Sequence, residues 1–330
     1  MAGTWVFRTT TVTRRTWGGG GDGGPCADLL DAARGAGAGE RVRCGGTHCG
    51  RYGGGVTSIG SVARMADPTP TALFAPDGDR WMPTDLARGP WDPRHCHGGP
   101  VSALLARAVE DRDGEWQVAR LTIELTRPVP VARPLALAAE VERPGRKVSL
   151  VSAVLRDADT EVARVRALRI RRAPVDLPVD ANLALDQPMG EPGSGRVERV
   201  TFSPGEQLAY HRDACEHRFV EGSWMQPGPV AVWVRLLKPV VDGEVPTGLQ
   251  RVASAADFGN GVSGSLPYDR FVYINPDLTI HLLRPPVGDW VGMRTTSTYG
   301  SLGAGLAESA LRDADGPLGR SCQSLFVDER

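Results

Sequence analysis

Two stretches of this chain repeat one order of elements, a short extended segment, one helix and then several strands, and that order limits the folds open to it. In the first stretch, residues 72–83 are extended and lead through a turn marked by Pro and Trp to His97-Gly98-Gly99-Pro100. Val101, Leu104, Leu105 and Ala108 then recur at helical spacing, and Pro100 suits a first helical turn. In residues 120–126, Leu121, Ile123 and Leu125 alternate with polar neighbours, which predicts a half-buried strand. Residues 135–141, 148–155 and 162–170 continue the pattern between short turns. The second stretch begins with extended residues 218–220 and 230–237, and Leu249, Val252, Ala253 and Ala256 mark its helix. Strands are expected at 271–274, 278–283, 290–299, 305–311 and 321–327. The pattern predicts an α+β protein with two antiparallel sheets, each wrapping a central helix and able to pair with the other edge to edge.

With 330 residues the chain is long enough for two such domains. Residues 65–172 form the first and 206–330 the second, joined by a Pro-, Gly- and Asp-rich linker at 173–205. Residues 1–64 differ. They hold 17 of the 41 glycines with no period of two or of 3.6, so they bury too little apolar surface to offset their ordering entropy. They are expected to be a disordered tail or an upstream read-through, with translation beginning at Met65. Cys26, Cys44, His48 and Cys49 lie there as conceivable zinc ligands, but no second paired Cys or His motif accompanies them, and no metal is expected.

Lys+Arg 38 against Asp+Glu 39 leaves a net charge of -1, without the positive excess that a nucleic-acid phosphate backbone demands. No apolar run is long enough for a membrane span, and the first residues have no apolar core of signal-peptide type, so a cytoplasmic protein is expected. Six cysteines are too few for a disulfide scaffold. Neither Lys147 nor Lys238 sits in a Walker A loop, and Gly35, Gly37 and Gly39 lack the dinucleotide-binding spacing. No nucleophile elbow and no H-E-x-x-H motif occur. His95-Cys96-His97 has neither a third ligand nearby nor an orienting partner.

The His97-Gly98-Gly99 helix entry, repeated architecture and three C-terminal motifs carry a resemblance. The motifs are Ala255-Ala256-Asp257-Phe258, the run FVYINPDLTIHLLRPP, and Gly319-Arg320-Ser321-Cys322-Gln323. In this order the chain resembles the tandem, or double, hotdog acyl-CoA thioesterases of the bacterial thioesterase II type. The resemblance implies a double hotdog fold and a catalytic set of Asp257, Asn275 and Gln323 that holds the attacking water. Many relatives carry Thr where this chain has Asn275, whose amide still donates and accepts but lacks a hydroxyl's freedom. It also implies an acyl-CoA substrate, no cofactor and a place in fatty acid metabolism. Self-association into a homo-oligomer stays open.

Each candidate has a structural reading beside the functional one. Asp257 fits a solvated helix-end acid or a general base; Asn275 fits a turn residue before proline or a water ligand. Gln323 falls on the inward face of a strand, where a buried amide needs partners. His97, Gly98 and Gly99 fit a close helix-to-sheet approach with a tight entry, or a substrate-binding end that receives the thioester carbonyl. His281 and Arg284 fit a solvated polar face, with Arg284 also a substrate-binding candidate for a coenzyme A phosphate. A thioester is activated enough for direct attack by water, so one carboxylate base and oxyanion donors suffice. Two other functions compete. A hotdog enoyl-CoA hydratase would carry His five residues after its Asp, where this chain has Val262. A catalytically silent acyl-thioester-binding module would share the fold without the chemistry.

Overall fold

The computed structural model describes residues 69–178, 181, 188–199 and 207–330. The expectations for residues 1–64, zinc ligands included, and part of those for 173–205 lie outside the described residues.

Alternation becomes strand throughout. In the first half, β1 (Phe74–Asp77) and β2 (Arg80–Pro83) form a hairpin across Gly78, whose φ of 63° suits the turn. A 3-10 turn, Asp85–Ala87, precedes α1 (Gly98–Val109). There follow β3 (Trp116–Glu124), β4 (Leu135–Arg143), β5 (Val148–Asp157) and β6 (Thr160–Arg171). The short β7 (Arg196–Glu198) and a π-helical turn, Tyr210–Ala214, lead into β8 (Cys215–Ser223) and β9 (Gln226–Leu236). Two helices, α2 (Gly248–Ala256) and α3 (Gly259–Ser263), come next. The chain closes with β10 (Phe271–Ile274), β11 (Asp277–Leu282), β12 (Trp290–Tyr299), β13 (Ala304–Asp313) and β14 (Gly316–Glu329).

The two expected sheets are one. Among the described residues the strand order is β1-β2-β4-β5-β6-β3-β11-β14-β13-β12-β9-β8-β7, with β10 also on β14. The junction is the antiparallel ladder of β3 with β11, where Leu121 stands opposite Ile280, Thr122 opposite Thr279 and Ile123 opposite Leu278. Pairing these two edges satisfies a row of backbone donors and acceptors that would otherwise be left open, and it aligns the apolar residues of both strands on one face. Each helix lies on strands of its own half, as expected, and the two also meet. α1 lies on β4, β5 and β6, α2 lies on β9, β11 and β12, and the two helices pack against each other. Their buried side chains form a single apolar core that includes Leu104 and Leu105 of α1 and Val252 and Ala253 of α2.

The helices run antiparallel. At one end Gly99 of α1 abuts Ser254 of α2, and at the other Thr247, which caps α2, donates from Oγ1 to Glu110 Oε2 at 2.8 Å. The amino end of α1 therefore meets the carboxyl end of α2. Part of the segment read as a linker is packed: Met189 is buried against Trp233, and β7 pairs with β8 at the sheet's edge. Its anchors are isolated residues such as Glu198, which accepts from Ser223 Oγ at 3.0 Å and Trp224 N at 3.1 Å, and so leave no periodic trace.

Candidate active site

Asp257 caps α2 at its carboxyl end and is only 3% exposed. A carboxylate this deep needs partners. Its Oδ1 accepts from Asn275 Nδ2 at 2.8 Å and, at 3.5 Å, from Gln323 Nε2. Asn275 sits between β10 and β11, before Pro276, and its Nδ2 also donates to Asp277 O at 3.3 Å. The turn position and the contact with Asp257 are thus served by one amide. Gln323 lies at the inward-facing part of β14 and is 1% exposed. Its Nε2 donates to Asp257 O at 3.2 Å and its Oε1 accepts from Asn260 N at 3.0 Å, so it ties the end of α2 to the start of α3. The three side chains named from the C-terminal motifs are brought together, two of them on one carboxylate.

The other half of the chain supplies the opposite wall. His97 is the N-cap of α1, and its Nδ1 lies 2.8 Å from Asp257 Oδ2 and 3.0 Å from Gly99 N. A Cβ on Gly98 would stand 2.6 Å and 2.7 Å from the two carboxylate oxygens of Asp257. One on Gly99 would meet Ser254 O at 2.7 Å and Tyr210 Cε1 at 2.8 Å. The glycines are therefore required by the approach of helix to helix, and of helix end to carboxylate, where the sequence suggested helix to sheet. The positive end of the α1 dipole lies against the carboxylate, an arrangement that favours negative charge.

Four rings, those of His97, Tyr210, His217 and Phe258, pack together at this junction, and sequence reasoning missed two of them, Tyr210 and His217. Tyr210 and Phe258 stack with centroids 5.4 Å apart and 5° between planes, and the His97 ring lies 4.9 Å from the first and 5.0 Å from the second. Tyr210 donates to Ser254 O at 3.1 Å and also bonds Ser254 Oγ, and burial pushes its hydroxyl well above the usual range. His217 packs on Phe258 with centroids 4.6 Å apart. Burial pushes His217 down to about 3 and the neighbouring His211 down to about 4, so both are neutral near pH 7. His97 and Phe258 stood within motifs; Tyr210 and His211 follow the stretch read as a linker with no spacing to single them out, and His217 alternates with Cys215 and Phe219 just ahead of the residues read as extended.

Arg284 makes none of these contacts. Its guanidinium pairs with the buried Asp313, Nη1 to Oδ2 at 2.8 Å and Nη2 to Oδ1 at 2.6 Å, and donates to Gly316 O at 3.1 Å. His281 is exposed on β11, and Val262, the position at which a hydratase would carry His, is buried in α3. Among the described residues no group of three or more His, Cys, Asp or Glu side chains could hold a metal ion, and no helix is long and apolar enough to cross a membrane.

Residues 87–170 match the family model of the acyl-CoA thioesterase N-terminal domain, and residues 186–327 match that of the acyl-CoA thioesterase C-terminal domain. The chain belongs to the acyl-CoA thioesterase family. It is a thioester hydrolase by that membership. Solved structures agree on the fold. A protein from Novosphingobium aromaticivorans DSM 12444 described as a thioesterase is 20% identical with a TM-score of 0.58, over 77% of this chain and 98% of its own. A hot dog fold protein from Alicyclobacillus acidocaldarius is 17% identical with a TM-score of 0.58, over 79% and 96%. The acyl-CoA thioesterase II TesB2 of Mycobacterium marinum is 14% identical with a TM-score of 0.54, over 79% and 96%. No curated protein matches the sequence. The thioesterase family is thus shown by the two domain matches, and the hotdog fold by the structures.

Proposed function

We propose that this acyl-CoA thioesterase is a double hotdog enzyme that hydrolyses acyl-CoA to a free carboxylic acid and coenzyme A, using a water activated by Asp257. What supports the reading is the convergence of Asn275 and Gln323 on the buried Asp257 carboxylate at the amino end of α1. Asp257 takes a proton from the water as its oxygen attacks the thioester carbonyl carbon, the carbonyl pair moving onto oxygen. The tetrahedral intermediate then collapses, the carbon–sulfur bond breaks, and the departing thiolate takes the proton back from Asp257. The oxyanion falls to amide N–H groups at the start of α1, around Gly98 and Gly99.

The amides divide the work. Gln323 spends both N–H bonds on Asp257 and its carbonyl on Asn260 N, so it positions the base. Asn275 commits its N–H bonds to Asp257 Oδ1 and Asp277 O, and its carbonyl oxygen remains as the acceptor that orients the water. Arg284 would meet a coenzyme A phosphate on the exposed side of its pair with Asp313. The same reading puts the enzyme in fatty acid metabolism in the cytoplasm.

Thiol release from a panel of acyl-CoAs, run beside crotonyl-CoA hydration and with acyl-carrier-protein thioesters as a second panel, tests the proposal. Thiol release without hydration is the expected result. Binding of acyl-CoA with no thiol release would identify a silent binding module, and hydration without thiol release would overturn the hydrolase reading of this site.

A further inference from the structure

Two atoms that ordinarily both accept hydrogen bonds, His97 Nδ1 and Asp257 Oδ2, stand 2.8 Å apart with side chains only 12% and 3% exposed. Lone pair against lone pair at that separation is repulsive, so a proton lies between them. It belongs either to the imidazole, beside a carboxylate, or to a neutral carboxyl that donates to a bare Nδ1. The surroundings decide. Asp257 Oδ1 already accepts from Asn275 Nδ2 at 2.8 Å and faces Gln323 Nε2 at 3.5 Å, and the amino end of α1 lies against both oxygens. Oδ1 already has donors of its own, so Oδ2 is the oxygen left to meet Nδ1–H.

We infer that His97 is a positioning residue for the hydrolysis, donating Nδ1–H to Asp257 Oδ2 so that the base stays fixed in direction. The inference rests on the reading of Asp257 as the base, and it adds a residue from the first half of the chain to a set drawn wholly from the second. The other ionisable groups around the imidazole leave it alone. His211 and His217 are neutral above about pH 5, the Tyr210 hydroxyl is held protonated by burial, and the buried Cys215 thiol is pushed up to about 12. Arg212 is committed to Asp213 at 2.9 Å. Tyr210 and Phe258 flank the ring and fix its plane. A proton on Nδ1 costs the helix the cap bond from Gly99 N, 3.0 Å away, because a protonated Nδ1 cannot accept it.

Three substitutions separate this role from packing. H97F keeps a ring between Tyr210 and Phe258 and loses the donor; H97N puts an N–H where Nδ1 stood; H97Q carries its N–H one bond too far out. The pH profile of kcat/KM for an acyl-CoA is the readout. In H97F and H97Q the acid limb is expected to move up by about one pH unit with a fall in kcat of roughly tenfold, and H97N is expected to return the limb toward wild type. An H97F enzyme with the wild-type acid limb and kcat overturns the inference. Should H97F not fold, 1H–15N correlation of the wild-type imidazoles decides: a proton on His97 Nδ1 at pH 7.5 is expected, and a bare Nδ1 overturns it. D257N keeps the two readings apart. Full activity in D257N defeats the assignment of the base, whereas an inactive D257N beside an unchanged H97F defeats only the role of His97.

Discussion

His97 and Asp257 cap the facing ends of two antiparallel helices, one from each half of the chain, and their side chains meet at 2.8 Å. The contact joins the amino end of α1 to the carboxylate proposed as the base, where a reading of separate repeats would treat it as a leftover of the first.

Replacing the proton acceptor while preserving its shape tests the centre of the proposal. Asp257→Asn is expected to lower kcat for acyl-CoA hydrolysis by about 100-fold or more with KM nearly unchanged. A variant that turns over at the wild-type rate would falsify the assignment.

Gln323→Ala removes both the donor to Asp257 and the acceptor of Asn260 N. Two buried backbone groups lose their partner, which costs about 2 kcal/mol or more of stability by denaturant unfolding. kcat should fall less than in Asp257→Asn, because the base itself remains. A fall as deep as that of Asp257→Asn would mean that Gln323 acts on the reacting atoms directly.

Gly98→Ala places a methyl group 2.6 Å from an Asp257 oxygen, with α1 backbone behind it. Something must move, and the carboxylate is the movable part. Hydrolysis should drop at least tenfold with a change in unfolding free energy of about 1–3 kcal/mol. An alanine variant with wild-type kcat would show that the helix end and the carboxylate do not work as one unit.

Stability should depend on pH through the buried histidines. His211 and His217 have folded-state values of about 4 and about 3, against 6.5 when free in the unfolded chain. Above pH 6.5 both states are neutral there and no penalty exists. As pH falls below 6.5 the unfolded chain takes up protons that the folded chain refuses until about pH 4 or 3, so stability is lost, by about 2 kcal/mol per group at pH 5. Thermal unfolding between pH 7.5 and 5 reads this out, and His217→Gln should flatten the curve. Parallel curves for the two proteins would contradict the burial of a neutral imidazole at that position.

Arg284→Ala takes the guanidinium from Asp313, 1% exposed, and leaves it the backbone donors Val287 N and Asp315 N at 2.8 and 2.9 Å. An unfolding penalty of about 3 kcal/mol is expected. A rise in KM for acyl-CoA that is absent with acyl thioesters lacking the nucleotide would add the phosphate contact to this structural role.

Local pattern made most of the fold legible. The strands at Phe271–Ile274 and Trp290–Tyr299 fall where alternation puts them, and both principal helices open at residues marked by their caps and spacing. Edge-to-edge pairing of the sheets was expected, but the choice of β3 and β11 was not legible, since an edge strand's sequence shows that it is half-buried and says nothing of its neighbour. Asp257, Asn275 and Gln323 were legible through motif resemblance. Tyr210 was not, because its place depends on a π-helical turn without a period; His217 shares the alternating buried face of β8 with Cys215 and Phe219, but the strand was read only from residue 218. His97 was visible as a helix entry, but its partner is set by the antiparallel packing of α1 and α2.

That packing gives the helix pair two junctions, and they are chemically unequal. At the far end Glu110 faces the hydroxyl of Thr247 where, at the near end, Asp257 faces an imidazole. A hydroxyl can donate to a carboxyl group but cannot hold a second proton for it, so under the proposed function the far junction serves as a brace and the near one as the reaction centre. On this account each chain turns over one acyl group at a time, and titration of active sites should count one per polypeptide despite the doubled architecture.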